Sequence, residues 1–211
     1  MPAFVFQSLA RLAAMAAVCV VAVPARGYTI PVQDPTFDSP QELGAGQCVS
    51  GAGGGTDRHC KYQSYDPAPG WTVSIRAGVY RPTNHSYTDP WPHGEVGFTL
   101  GGQDGTGEYD QDFGALPSDG NYTIHVQAGC RLDTPCGGLT VNVGLDGSWT
   151  QFKVPHLKQV PGSWVKHEFT FAAKEGQDLR VSITPSCHCT RAEADFDNFY
   201  LTYRLQGDDD R

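Results

Sequence analysis

Apolar and polar residues alternate with a period of two in several stretches of the chain. Tyr122, Ile124, Val126 and Ala128 share one parity, and Thr123, His125 and Gln127 hold the other. Such alternation marks a strand with one buried face. Leu179, Val181 and Ile183 alternate in the same way with Arg180, Ser182 and Thr184, and Phe199, Leu201 and Tyr203 close the pattern. Val165, Phe169 and Phe171 share a face, which turns His167 inward. The pattern predicts strands at 71–75, 78–81, 96–100, 109–113, 122–128, 139–144, 151–154, 165–171, 179–184 and 196–204, after an opening edge strand at 28–32. Nothing beyond residue 27 carries a helical stripe. About ten strands around one core make an all-β domain, a β-sandwich of the jelly-roll type. Residues 44–69 are rich in Gly, Ser and Asp and are expected to form a long cysteine-containing loop. No repeat or linker divides the chain, so 28–205 is expected to be a single domain.

Composition sharpens this picture. Of 211 residues, 25 are Gly and 15 are Pro, which excludes a helical bundle. An aromatic content of 11% is too high for a chain that never buries its rings. At the N-terminus, Arg11 precedes an apolar run from Leu12 to Ala25, followed by small residues. Residues 1–27 are therefore expected to be a secretory signal peptide, too short in its apolar part for membrane insertion. The expected location is extracellular. The end of the chain, 206–211, is expected to be an acidic disordered tail. Removing the signal leaves 13 basic against 23 acidic residues, a net charge of −10. With no basic cluster, no nucleic-acid partner is expected.

Six cysteines remain in the exported chain: Cys48, Cys60, Cys130, Cys136, Cys187 and Cys189. An even number in a secreted chain reads as disulfides. Local pairs, Cys48 with Cys60 and Cys130 with Cys136, are one arrangement. The other pairs Cys130 and Cys136 with Cys187 and Cys189 across neighbouring loops.

The order of short motifs carries a family likeness. Ile30-Pro31-Val32-Gln33-Asp34-Pro35-Thr36-Phe37-Asp38 opens it, followed by Pro69-Gly70-Trp71, Ala77-Gly78-Val79-Tyr80-Arg81-Pro82 and Pro92-His93-Gly94-Glu95. Then come Tyr109-Asp110-Gln111-Asp112-Phe113, Asn121-Tyr122-Thr123-Ile124, Gly129-Cys130-Arg131-Leu132-Asp133 and Asp195-Phe196-Asp197-Asn198-Phe199. Across roughly 30–204 this resembles the galactose-binding-like jelly-roll domains of carbohydrate-binding modules and related secreted proteins. The resemblance implies a structural Ca²⁺ joining the first and last strands, held here by Asp34, Asp38 and Asp197. Calcium takes six to eight oxygen ligands, and gathered carboxylates repel one another without it.

The segment from Tyr80 to His93 fits a sugar-binding face. Tyr87 and Trp91 would offer ring platforms, Tyr80 and His93 would flank them, and Asn84, Arg131 and Asp133 would bond hydroxyls. The expected function is therefore a secreted, non-catalytic protein, monomeric, that binds an extracellular carbohydrate. Two alternatives stand beside it. One is an adhesive protein without a small ligand. The other is a small polysaccharide-cleaving enzyme using His125 and Tyr87 as base and acid. No nucleophile elbow, metalloprotease helix or phosphate loop is present.

Overall fold

The fold is described by a computed structural model. It covers residues 27–37, 68, 70–74, 76–92, 94–101, 106–132, 134–154, 161–186 and 192–205, and the backbone at 47–50 and 61–64. Among these residues there is no helix. The strands are β1 (Tyr28–Ile30), β2 (Gln47–Ser50), β3 (Lys61–Ser64), β4 (Thr72–Val73), β5 (Ala77–Tyr80), β6 (Val96–Leu100) and β7 (Tyr109–Ala115). They continue as β8 (Gly120–Gly129), β9 (Leu139–Leu145), β10 (Ser148–Lys153), β11 (Trp164–Ala173), β12 (Asp178–Pro185) and β13 (Glu193–Leu205). One sheet runs β11-β8-β13-β6-β5-β2-β3 with β1 also on β13, and the other runs β10-β9-β12-β7-β4. The two layers form the expected all-β jelly-roll sandwich.

The inward parity of β8 and β12 is as the alternation requires. Tyr122, Ile124, Val126, Leu179, Val181 and Ile183 all lie in the core between the sheets. At one end of that core the rings of Phe37, Trp71, Tyr109, Phe196 and Phe199 meet edge to face, with Phe37 and Phe196 at 4.8 Å and Trp71 and Phe199 at 5.4 Å. This geometry suits the charge distribution of aromatic rings. Phe37 holds a left-handed backbone, φ 51°, which a bulky residue adopts only when packing over-determines it. The surrounding segment is pinned to both sheets. The Trp71 indole donates to the Gln33 carbonyl at 2.8 Å, and the Phe199 amide donates to the Pro35 carbonyl at 2.8 Å.

Two sequence expectations change here. The stretch 44–69 is not loop throughout, because it supplies β2, antiparallel to β5, and β3, parallel to β2. A polar, Gly-rich segment has weak strand propensity, but the open edge of β5 offers it backbone partners. The last strand also begins at Glu193, three residues before its expected start. A bulge at 197–200, with Asn198 at φ 52°, then moves the inward parity from Ala194 and Phe196 to Phe199, Leu201 and Tyr203.

His167 pairs in register with inward-facing Val126, as expected from the sequence. Burial lowers its pKa below the usual histidine value. The unfolded chain therefore binds this proton more readily than the fold does. The associated stability is present above the unfolded value, about pH 6.5, and is lost as pH falls through and below it. Urea denaturation between roughly pH 7 and 5 should show stability falling with acid in the wild type and a shallower fall in His167→Phe.

Candidate functional site

Glu193, Asp195 and Asp197 occupy alternate positions of β13 and so face away from the main core, yet each is at most 2% exposed. A carboxylate on the outer face of a sheet stays this dry only under a cover. Three connections supply it. The β5–β6 connection crosses the sheet, and its Thr88 amide and hydroxyl both donate to the Gly162 carbonyl, at 2.9 and 3.0 Å. The Leu132 amide donates to the Ser86 carbonyl, and the Gly162 amide to the Cys130 carbonyl. Beneath the cover lies a second apolar cluster of Tyr80, Val96 and Phe98, with Trp91, Leu100 and Trp164 packed against it.

Strand register decides which side chains meet. Trp164 lies opposite Gly129, Gly129 opposite Asp195, Asp195 opposite Phe98 and Phe98 opposite Gly78. These five positions form one row across the outer face. Tyr87 descends from the cover and its hydroxyl donates to Asp195 Oδ2 at 2.7 Å. Burial raises the phenol pKa well above its usual value, and the charge and hydrogen bond of Asp195 push it further the same way. Tyr87 therefore remains a neutral donor. Its ring stands 5.1 Å from that of Trp164 and 6.4 Å from that of Trp91. Near this pair the Arg131 guanidinium lies 4.3 Å over the Tyr80 ring and donates to Glu193 Oε1 at 3.2 Å, with both side chains 2% exposed. The Tyr80 hydroxyl is in turn 2.9 Å from Ser86 Oγ.

The Cys130–Cys136 disulfide holds the loop that carries Arg131, one of the two pairings left open by the sequence. Cys136 bridges to Glu193, whose amide donates to the Pro135 carbonyl at 2.8 Å. The staple thus ties Arg131 to the strand bearing its partner. Cys60, Cys187 and Cys189 lie outside the described residues, as does the side chain of Cys48.

The expected sugar-binding residues have different situations. Tyr80, Tyr87 and Arg131 converge as expected, but they are buried and bonded to Ser86, Asp195 and Glu193 respectively, so none is an open platform. Trp91 is partly buried against the second cluster, and Asn84 is exposed in a turn. His93 and Asp133 lie outside the described residues. His125 and Tyr87 do not form an acid–base couple. His125 stands four residues along β8 from Gly129, roughly 13 Å at 3.3 Å per residue, where it stacks on Tyr200 at 4.2 Å and meets Glu168 and Thr202. Glu193, Asp195, Ser86 and Trp164 are the participants that sequence reasoning missed. Their signal was an acid at every second position, 193, 195 and 197, in a strand whose other face carries Ala194 and Phe196.

Among the described residues, no group of three His, Cys, Asp or Glu side chains is gathered for a metal. The Phe199–Pro35 hydrogen bond does bring the Asp34 segment beside that of Asp197, and Asp38 lies outside the described residues. On the other sheet, an open groove of about 430 Å³ is lined by Glu108, Asn142, Trp149, Gln151, Lys153 and Ser182, among others. Its Glu108 accepts from the Ser182 hydroxyl and its Asn142 donates to Thr184, so these polar groups are already engaged within the sheet. The covered row around Asp195 is the better candidate for chemistry.

Breaking the Arg131–Glu193 pair from one side leaves a buried charge without that partner. Arg131→Met should cost about 3–5 kcal/mol of stability. The double variant Arg131→Met/Glu193→Leu should recover most of it in chemical denaturation.

Comparison with known proteins adds an independent line. A family model described as "HpiC1-like: HpiC1 cyclase" matches residues 28–202. The crystal structure of a Stig cyclase, Fisc, from Fischerella sp. TAU, in complex with (3Z)-3-(1-methyl-2-pyrrolidinylidene)-3H-indole, is 19% identical with a TM-score of 0.62, covering 86% of this chain and 100% of that one. A cyclase from Fischerella sp. TAU in complex with 4-(1H-indol-3-yl)butan-2-one is 19% identical with a TM-score of 0.60, covering 85% and 99%. The CBM22-1 xylan-binding domain of Paenibacillus barcinonensis Xyn10C is 15% identical with a TM-score of 0.47, covering 65% and 88%. No curated protein sequence matches the chain. At these identities the solved structures establish the jelly-roll fold alone. The family match overturns the expectation of a non-catalytic, glycan-binding module, and with it the adhesive and polysaccharide-cleaving alternatives.

Proposed function

This chain belongs to the HpiC1-like cyclase family, and from that premise we propose that it closes a ring in a small aromatic molecule by proton transfer at the Tyr87–Asp195 pair. The observation that carries the reading is the 2.7 Å hydrogen bond from the Tyr87 hydroxyl to Asp195 beneath an aromatic cover. The pair is flanked by the partly exposed rings of Trp91 and Trp164, surfaces suited to a flat apolar substrate with few polar groups. The ligands of the two Fischerella cyclases contain indole, and an indole-bearing substrate is the class proposed here.

The reaction is an isomerisation and needs no oxidant or reductant. The reactive form is the protonated Asp195 carboxyl, which accepts from Tyr87 at Oδ2 and gives its own proton to a carbon–carbon double bond of the substrate, leaving a cation. The electron-rich ring attacks that cation to form the new bond. A proton then leaves the ring carbon and returns to the carboxylate. Tyr87 holds the carboxyl in one orientation throughout, and its own high pKa prevents it from supplying a competing charge. The aromatic cover keeps water from capturing the cation.

In a product assay with alkenyl-bearing indoles, Asp195→Asn should lower turnover by about 10²- to 10⁴-fold. Binding of 4-(1H-indol-3-yl)butan-2-one should stay within a few-fold of wild type. Undiminished turnover in Asp195→Asn would remove the proposed role of this acid. Calcium at Asp34, Asp38 and Asp197 belongs to the same proposal as a structural ion away from the reaction. EGTA should lower the melting temperature, and added Ca²⁺ should restore it. Export directed by residues 1–27 would place this chemistry outside the cytoplasm.

A further inference from the structure

The first position of β11 has a property that the proton-transfer reading does not use. Trp164 lies two strands from Asp195 in the same cross-strand row, with only Gly129 between them. Neighbouring strands are about 4.8 Å apart, so the two backbones are separated by roughly 10 Å. The gap is bridged by the indole itself. A Cβ built at Gly129 would fall 2.9 to 3.2 Å from Cδ2, Cε2 and Cε3 of Trp164. The ring therefore lies flat over the glycine, where a larger residue would displace it, and it reaches toward Tyr87 at 5.1 Å. Its Nε1–H is buried and has no hydrogen-bond partner among the described residues. Indole donors usually find an acceptor when they are taken from water, and leaving one unpaired is costly.

The geometry points to Trp164 as a specificity-determining residue whose indole N–H donates to a hydrogen-bond acceptor on the substrate, a carbonyl oxygen or an imine-type nitrogen. This inference rests on the proposed substrate site and deepens it. The ligand class becomes an aromatic molecule carrying one acceptor placed to the side of the atom that exchanges its proton with Asp195. Contact with the partly exposed rings of Trp91 and Trp164 would hold the flat part of such a molecule without regard to the acceptor. The Trp164 donor would then distinguish it from analogues of the same shape that lack an acceptor, because those leave the donor buried and unpaired.

The test compares two probes of nearly equal shape, 4-(1H-indol-3-yl)butan-2-one and 3-butylindole, titrated calorimetrically against the full chain. Wild type should bind the ketone more tightly by roughly 5- to 30-fold, the usual worth of one well-placed hydrogen bond. Trp164→Phe should lose that preference through weaker ketone binding, with 3-butylindole changed less than about threefold. Should Trp164→Phe fold poorly, replacement of Trp164 by 3-benzothienylalanine retains the ring shape and removes only the N–H, and the same loss of preference is expected. An equal preference in wild type and either variant overturns the assignment of Trp164 and leaves the Asp195 reading standing. Failure of wild type to bind either probe overturns both.

Discussion

Two acids placed one pleat apart on β13, Glu193 and Asp195, face outward from the sandwich and are nonetheless dry. That is the constraint on which the rest of the site depends. An unpaired ionised carboxylate is among the costliest groups to bury, so each acid needs compensation. Glu193 has the Arg131 guanidinium, which is itself stacked on Tyr80. Asp195 has the neutral hydroxyl of Tyr87. These unlike partners give adjacent carboxyls different work: one belongs to a fixed ion pair, and the other is joined to a group that keeps its own proton. Separation of roles by environment is how a single protein surface can hold an acid ready for transfer.

The cover that dries these acids also brings aromatic side chains beside them. The β5–β6 connection brings Ser86, Tyr87 and Trp91 over the sheet, the disulfide-closed loop brings Arg131, and the start of β11 brings Trp164. Hydrogen bonds among Ser86, Thr88, Cys130, Leu132 and Gly162 tie the three connections together. The second cluster of Tyr80, Val96 and Phe98 is therefore a separate packing unit on the outer face. The inner core, with its edge-to-face rings around Phe37, supplies the rigid sheet on which that unit is registered.

Register is what turns a flat sheet into a site. A shift of one residue in β13 would send Asp195 into the main core and Phe196 out to the cover. Gly129 leaves room in the row for a larger neighbour, and Trp164 fills the space over it. The bulge at 197–200 restores apolar residues to the inner face beyond the site, so the strand can carry acids outward at its start and still bury Phe199 and Leu201.

The amino-acid sequence by itself determined the all-β class, most strand positions and the inner face of the sandwich, because alternation of apolar residues is a local property of a strand. It also brought forward Tyr80, Tyr87 and Arg131, since aromatic and basic residues in long connections are conspicuous. It did not reveal that these would be buried, or that their partners would be Ser86, Asp195 and Glu193. Glu193 and Asp195 fell outside the expected strand, which began only at Phe196. Nor could it show β2 and β3, whose pairing depends on a free sheet edge. Only tertiary structure decided these points. Whether a polar side chain is solvated or becomes part of a dry, hydrogen-bonded pair depends on which loop comes to lie over it, and that contact joins residues 108 positions apart.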